Sequence, residues 1–231
     1  YKGVISHGVR MFQVGVLNTK VIFGKKIINL FKEFSSLRNT LREDREALKK
    51  FDPSFEVWYQ YWFHAGYKSL RLYRISKAFY DSGFKFFGYL FYHLNRVIYS
   101  VDIHPAAKIS PGVVIDHGTG IVIGSTAEIG RGTVIYHGVT LGAKYIVTGK
   151  RHPTIGENVI LGAGCKVLGP IYVGNNVKVG ANSVVLYDVP DNSTVAGIPA
   201  KIVSSNKAKS SLEDDSVCRK EIDSIELTNT F

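Results

Sequence analysis

Two short strings of the sequence hold side chains suited to acid–base chemistry. The first is Asp116-His117-Gly118-Thr119-Gly120, and the second is Arg151-His152-Pro153. Imidazole exchanges a proton near neutral pH, so a positioned histidine can act as a general base. An arginine adds a fixed positive charge that can hold an anion. These residue types suit proton transfer to or from a bound, charged molecule.

A six-residue period through the second half of the chain places these strings. Its aliphatic positions show a two-residue shift before Ile123 and an interruption between Gly142 and Pro153. The aliphatic residues are Ile103, Ile109, Ile115, Ile123, Ile129, Ile135, Leu141, Ile155, Leu161, Val167, Val173, Val179 and Val185. Small or β-branched residues take the fifth position of each hexad: Ala107, Val113, Thr119, Ala127, Thr133, Val139, Val159, Cys165, Ile171, Val177 and Ser183.

This repeat indicates short strands separated by tight corners. Three strands close a triangular coil of about eighteen residues, and the aliphatic side chains stack into a narrow core. We therefore predict a parallel β-helix of about four coils. The interruption from 142 to 153 must leave the coil as a loop, and loops on rigid scaffolds often carry function.

The same coil length suggests a second chemistry for the histidines. His137 follows His117 by one coil once the two-residue shift is subtracted, so both rings are expected on one face. Together with His152, three histidines around a cleft could ligate zinc. His7, His64 and His93 stand outside any motif, and we interpret them as structural residues.

The segment before the repeat is poor in glycine, with apolar residues at helical spacing. It predicts a helix ending at Asp52-Pro53, then helices over about 55–80 and 84–98 with Gly83 between them. The predicted organisation is an α+β chain. It has a basic N-terminal extension over 1–34, an α-helical domain over 35–100, a β-helix domain over 101–203 and a polar tail over 204–231. The aromatic density of the helical domain favours a subunit interface there.

Charge, apolar runs and cysteine count limit the partners and the compartment that the sequence predicts. The net charge of +10 fits nucleic acid, an anionic surface or a polyphosphate-bearing cofactor. The basic residues are scattered without a nucleic-acid motif, so we predict no nucleic-acid binding. No apolar run is long enough to predict a membrane span. Cys165 and Cys218 cannot build a disulfide framework and predict a reducing, cytoplasmic compartment.

Several strings are longer and more distinctive than the hexads. They read VDIHPAAKI at 101–109, DHGTGIVIG at 116–124, GVTLG at 138–142, KRHPTI at 150–155 and AGIPAK at 196–201, with LRED at 41–44, FDP at 51–53 and YRI at 73–75. These strings resemble the serine O-acetyltransferases of the hexapeptide-repeat acyltransferase family. The resemblance covers about 41 to 203 and implies that the β-helix is left-handed.

The resemblance also implies a reaction. Acetyl would pass from acetyl-CoA to the hydroxyl of L-serine, giving O-acetylserine and CoA in the first step of cysteine biosynthesis. His117 would be the general base, and Asp102 would orient its ring. His152 would complete the pocket beside the reacting hydroxyl. No covalent enzyme intermediate and no metal are implied.

Substrate and partner contacts follow from the same resemblance. Asp52 and Asp116 would hold the serine ammonium, and Arg151 would hold its carboxylate. Acetyl-CoA would lie in the groove between neighbouring β-helices of a homotrimer, or of a dimer of trimers. Its predicted contacts are Ala163, Lys178 and Ala181. The sequence ends in Thr230-Phe231, where bacterial relatives often carry an Ile that inserts into cysteine synthase. We therefore expect no tight docking to that enzyme.

Other functions stay open from the sequence. The loop over 143–150 is bulkier than the Gly-Thr-Gly-Lys usual in the family, so the acceptor could be homoserine or a sugar hydroxyl. A sugar would have little use for Arg151 opposite Asp52 and Asp116, which favours an amino acid. A non-catalytic β-helix scaffold is the remaining alternative. The complete set of Asp102, Asp116, His117, Arg151 and His152 argues against it.

Overall fold

The computed structural model describes residues 2–52, 57 and 59–205, with side chains described from residue 22 onward. The predicted polar tail lies outside the described residues from 206 on, and so do Cys218 and Phe231. None of the helices within these ranges has a stretch long and apolar enough to cross a membrane.

Four helices form the first part of the described chain: α1 (Lys2–Phe51), α2 (Gln60–Phe63), α3 (Ala65–Asp81) and α4 (Lys85–Tyr99). Helix α1 ends just before Asp52, as predicted, and it is continuous across position 34. The single helix expected over about 55–80 is divided into α2 and α3. His64 separates them because its backbone is extended and its Nδ1 accepts a hydrogen bond from the N–H of Tyr67, which caps α3.

Short strands then follow one another at hexad spacing. They are β1 (Asp102–Ile103), β2 (Lys108–Ile109), β3 (Val114–Ile115), β4 (Val122–Ile123), β5 (Glu128–Ile129), β6 (Val134–Ile135), β7 (Thr140–Gly142), β8 (Thr154–Ile155), β9 (Ile160–Leu161), β10 (Lys166–Leu168), β11 (Tyr172–Val173), β12 (Lys178–Val179), β13 (Val184–Val185), β14 (Ser193–Gly197) and β15 (Ala200–Ser205).

These strands form three parallel sheets, one on each side of a triangular coil. The orders are β1-β4-β7-β10-β13, β2-β5-β8-β11 and β3-β6-β9-β12-β14, and β15 adds to β14 in antiparallel fashion. Ile123 lies beside Leu141, and Val167 beside Val185, each pair eighteen residues apart. The predicted fold is confirmed: an α-helical part precedes a left-handed parallel β-helix with an ejected loop between β7 and β8.

The core of the β-helix is the predicted aliphatic column, and every member of it is buried. The small column is also inward-facing, with two differences. Ile171 is only partly buried. Thr119 is exposed, because the two extra residues of the corner push it outward, and the fully buried Ile121 takes the inward position.

A buried ion pair fastens the helices to the β-helix. Arg74 of α3 donates hydrogen bonds to both carboxylate oxygens of Asp44 on α1, at 3.1 and 3.2 Å, and to the carbonyl oxygens of Ile109 and Ser110. The N–H of Gly112 donates to Asp44 at 2.8 Å. The two side chains are only 6% and 1% exposed. This contact fixes where α1 and α3 lie on the coils.

Candidate active site

His117 lies at the corner between β3 and β4 in an unusual backbone conformation. Its φ is 61°, in the left-handed region that non-glycine residues rarely adopt. Its side chain is 71% exposed, and its Nε2 lies 3.8 Å from Oδ2 of Asp116. The ring of His137 packs edge-on against it with centroids 5.7 Å apart, as the coil length predicted. Strained residues concentrate at functional sites, so this corner is a candidate for chemistry.

The first turn of α3 lies directly on this corner. A Cβ built on Gly66 would collide with the carbonyl of Ile115, and one built on Gly118 would lie 2.9 Å from Cα of Gly66. Only glycine permits this approach, which brings the N-terminal cap of α3, His64, to the corner.

His64 belongs electrostatically with the residues of the corner. Burial lowers its pKa, the charges of Asp116 and Asp52 raise it, and His117 lowers it. We refer to Asp52, His64, Asp116, His117 and His137 as the corner group. No motif surrounds His64, so nothing in the sequence indicates that it lies at this corner, although its cap of α3 agrees with the structural role expected for it.

Asp102 has partners other than His117. Its Oδ1 accepts a hydrogen bond of 2.6 Å from the hydroxyl of Tyr92, and its Oδ2 lies 3.7 Å from Nη1 of Arg96. Burial raises the pKa of Tyr92 to about 12, and the hydrogen bond to Asp102 acts in the same direction. Within the described residues, Asp116 is the acid whose carboxylate lies within 4.0 Å of the His117 ring.

The end of the ejected loop is held by one side chain, that of Thr126. Its Oγ1 accepts the N–H groups of Arg151 and His152, both at 3.1 Å, and lies 2.8 Å from Nδ1 of His152. The Thr126 N–H donates to the same Nδ1, so a neutral His152 carries its proton on Nε2. The ring lies over Gly124, where any Cβ would collide with it. Lys150, Arg151 and His152 form what we call the loop-end group.

Burial and nearby charge favour the neutral form of the imidazoles in this region. His152 is only 7% exposed, and burial lowers its pKa, as do the charges of Arg151 and Lys150. Burial also lowers the pKa of His104, whose ring contacts those of Tyr80, Tyr89 and Tyr92. The positive charges at this position are those of Arg151 and of Lys150, and Lys150 lies 3.6 Å from the carboxylate of Glu128.

The predicted site residues thus fall into two groups in one chain. His117 precedes β4, whereas Gly124, beneath His152, follows it. The extended chain between the corner and Gly124 covers on the order of 10 Å. His117 and the His152 ring of one chain are therefore separated by about the length of β4. For the same reason, the three histidines of the zinc alternative are not brought together. The residues that the structure describes contain no group of three or more metal-binding side chains.

Successive corners of the coils form one edge of the β-helix, which begins at His117. The predicted contacts of acetyl-CoA lie along this edge. Hydrogen bonds of 2.8 Å join successive corners: Gly164 N–H to the His137 carbonyl, and Asn182 N–H to the Ala163 carbonyl. Ala163 is therefore one coil beyond His137, and Ala181 is on the next coil. Lys178 of β12 is exposed nearby. Coils are about 4.8 Å apart, so this edge runs about 15 Å from His117.

Comparison with known proteins identifies the family. The family model described as bacterial transferase hexapeptide (six repeats) matches residues 152–186. The serine acetyltransferase of Helicobacter pylori is 45% identical over 172 residues, covering 74% of this chain and 96% of that protein. The chain belongs to the serine acetyltransferase family.

Solved structures of serine acetyltransferases share the fold. The enzyme of Neisseria gonorrhoeae in complex with serine matches with a TM-score of 0.71 and 37% identity, covering 74% of this chain and 70% of that one. The enzyme of Brucella abortus strain S19 in complex with coenzyme A matches with a TM-score of 0.73 and 36% identity, covering 80% and 74%. The resemblance seen in the sequence is confirmed.

Proposed function

We propose that this chain transfers the acetyl group of acetyl-CoA to the hydroxyl of L-serine, giving O-acetylserine and CoA. The observation that carries the proposal is the exposed, left-handed His117 between Asp116 and His137, at the start of the edge that ends at Ala181. The serine and coenzyme A complexes of related enzymes support both substrates.

His117 supplies the base for this transfer. Its imidazole takes the hydroxyl proton as the serine oxygen attacks the thioester carbonyl, forming the new C–O bond. Backbone N–H groups help to stabilise the oxyanion. The C–S bond then breaks, and the CoA thiolate takes the proton back from the imidazolium. No side chain of the enzyme is acylated.

Charges of both signs hold the amino-acid substrate. Asp52 and Asp116 bind its ammonium, and Arg151 binds its carboxylate in a bidentate manner. Because Arg151 and His117 lie at opposite ends of β4, we assign the Arg151 of each site to a neighbouring copy of the chain. The site then forms in the groove between two β-helices of a trimer. His152 completes the pocket from the same loop, and Asp102 of β1 orients the ring of His117.

Exposed apolar residues on α4 support a further contact between trimers. Phe86 is 75% exposed, Val97 is 65% exposed and Ile98 is 59% exposed. Covering such side chains is a common reason for helices to associate. We propose a dimer of trimers joined through the helical parts.

We also propose two domains, 35–100 and 101–203, joined by the Arg74–Asp44 pair, with flanking segments over 1–34 and 204–231.

A cytoplasmic location fits the free thiol of Cys165, which is fully buried and whose pKa burial raises to about 12.

An acceptor panel tests the proposed function. Release of the CoA thiol from acetyl-CoA is followed with L-serine, L-homoserine, a set of sugars or no acceptor, and the acetylated product is identified by mass. We expect turnover with L-serine that exceeds the rate without acceptor. Turnover with homoserine or a sugar alone would mean that the 143–150 loop has changed the acceptor. No turnover with any acceptor would contradict the enzyme and favour the scaffold.

A further inference from the structure

A cavity of about 520 Å³ lies among the helices, and none of its described lining residues belongs to the corner group or the loop-end group. Arg45 of α1, Lys68 and Arg71 of α3, and aromatic side chains of α2, α3 and α4 line it. This volume is within the range of small-molecule sites. The catalytic proposal leaves this cavity without a role.

The charge of the cavity is one-sided. The lining residues that the structure describes include Arg45, Lys68 and Arg71 but no aspartate or glutamate. Within the described ranges, none of these three cations has a carboxylate within 4.0 Å. Three other cations on the same two helices are paired with acids: Arg42 with Glu46, Arg74 with Asp44 and Lys77 with Asp81. Among the described residues, the positive charge facing the cavity is therefore not neutralised by a neighbouring carboxylate.

Aromatic faces form the rest of the wall. The guanidinium of Arg45 lies 5.3 Å from the ring centroid of Tyr61, and the ammonium of Lys68 lies 5.6 Å from that of Tyr99. The indole of Trp62, on the same wall, is 59% exposed. Cations held over aromatic rings, beside an exposed indole, suit a ligand that combines a flat ring with negative charge.

We propose that this cavity binds a small organic anion of mononucleotide type. Its ring lies against the aromatic wall of Tyr61, Trp62 and Tyr99, and its phosphate contacts Lys68 and Arg71. None of these residues lies on the edge assigned to acetyl-CoA. The occupant sits on the first turn of α3, where the N–H of Tyr67 donates to His64 of the corner group at 3.0 Å.

Calorimetric titration of the full chain with adenosine 5′-monophosphate tests the site without any measurement of activity. Saturating CoA is present in a parallel titration, so that binding at the cofactor edge is separated from binding at the cavity. We expect binding that persists with CoA. Lys68→Met and Arg71→Met should each weaken it about ten-fold or more, the loss expected for a charged hydrogen bond.

Two controls sharpen the result. Lys77→Met removes a cation from the same helix outside the cavity lining and should leave binding unchanged. Ribose 5-phosphate, which lacks the ring, should bind about ten-fold more weakly than the nucleotide if the aromatic wall takes part.

Three results would overturn the proposal. One is absence of binding at millimolar nucleotide. A second is binding that CoA abolishes and that Lys68→Met leaves unchanged, which would place the nucleotide at the cofactor edge. A third is absence of binding combined with a smaller assembly in sedimentation of Lys68→Met, which would make the cavity a contact between copies of the chain.

Discussion

The corner group and the loop-end group use similar side chains in opposite settings. The ring of His117 is 71% exposed, and its neighbours come from two parts of the chain, the β-helix and the start of α3. His152 is 7% exposed, and its hydrogen bonds come from Thr126. An exposed imidazole can exchange a proton with a substrate, whereas a buried and hydrogen-bonded one holds its neighbours in place. The difference supports the proposed roles, proton transfer at the corner and orientation of the substrate anion at the loop end.

The largest expected effect distinguishes His117 from His152 by which kinetic parameter, kcat or KM, each substitution changes. His117→Ala is expected to lower kcat by about 10²- to 10⁴-fold, the contribution of a general base. His152→Asn should act mainly by raising the KM for serine, since it disturbs the position of Arg151. Steady-state kinetics on both variants, with His93→Ala as an exposed control, checks this. A His117→Ala enzyme retaining more than about a tenth of kcat would contradict the assignment.

A second contrast is between a buried ion pair and an exposed one on the helices. Arg74→Met leaves Asp44 buried without its partner and should lower the free energy of unfolding by about 3–5 kcal/mol. Arg42→Met removes an exposed pair with Glu46 and should cost less than about 1 kcal/mol. Urea unfolding of both variants measures the difference. Equal losses would show that the Arg74–Asp44 contact does not fasten the helices to the coils.

The loop end should respond to loss of a single hydroxyl. Thr126→Val removes the acceptor of two N–H groups and a contact of the His152 ring. This should destabilise the ordered conformation of the loop end by about 1–3 kcal/mol. We expect the KM for serine to rise about ten-fold, with a smaller change in kcat. Thr194→Val on β14 is the matched control. A fall in kcat with unchanged KM would contradict a positioning role for this group.

The smallest effect is a pH dependence of stability. Burial lowers the pKa of His64, His104 and His152 in the folded chain, whereas an unfolded histidine titrates near 6.5. As the pH falls through about 6.5, the unfolded state takes up protons first, so the free energy of unfolding decreases. Urea midpoints between pH 7.5 and pH 5 measure this, and His152→Asn should flatten the curve. Stability that rises as the pH falls would be incompatible with buried, neutral imidazoles.

The β-helix could be predicted from the sequence because its order is local. Each hexad supplies one strand and one corner, so the aliphatic column and the ejected loop follow from spacing alone. Thr119 was misplaced because spacing does not show how a two-residue insertion is absorbed. In the structure the N–H of Gly120 donates to the carbonyl of Ser100, which carries Thr119 outward and brings Ile121 into the core.

The site was only partly predictable, because its contacts join distant segments. The motifs indicated His117, Arg151 and His152, but the approach of α3 to β3 depends on Gly66 fitting against Ile115, which no spacing reveals. The place of His64 at the corner was therefore not predictable, whereas its structural role, as the cap of α3, agrees with the prediction. The strings LRED and YRI indicate only the family resemblance at the sequence level. In the structure they contain Asp44 and Arg74, which form the buried ion pair.

Mixing two inactive variants tests most directly whether the corner group and the loop-end group meet across copies of the chain. His117→Ala and Arg151→Met chains are assayed alone, and then after they have been unfolded together and refolded as a mixture. If each site takes His117 from one copy and Arg151 from its neighbour, random assembly leaves about a quarter of the sites complete, and serine acetylation returns to about that fraction. Activity in the mixture no higher than in either variant alone would place the whole site within one chain and contradict the account.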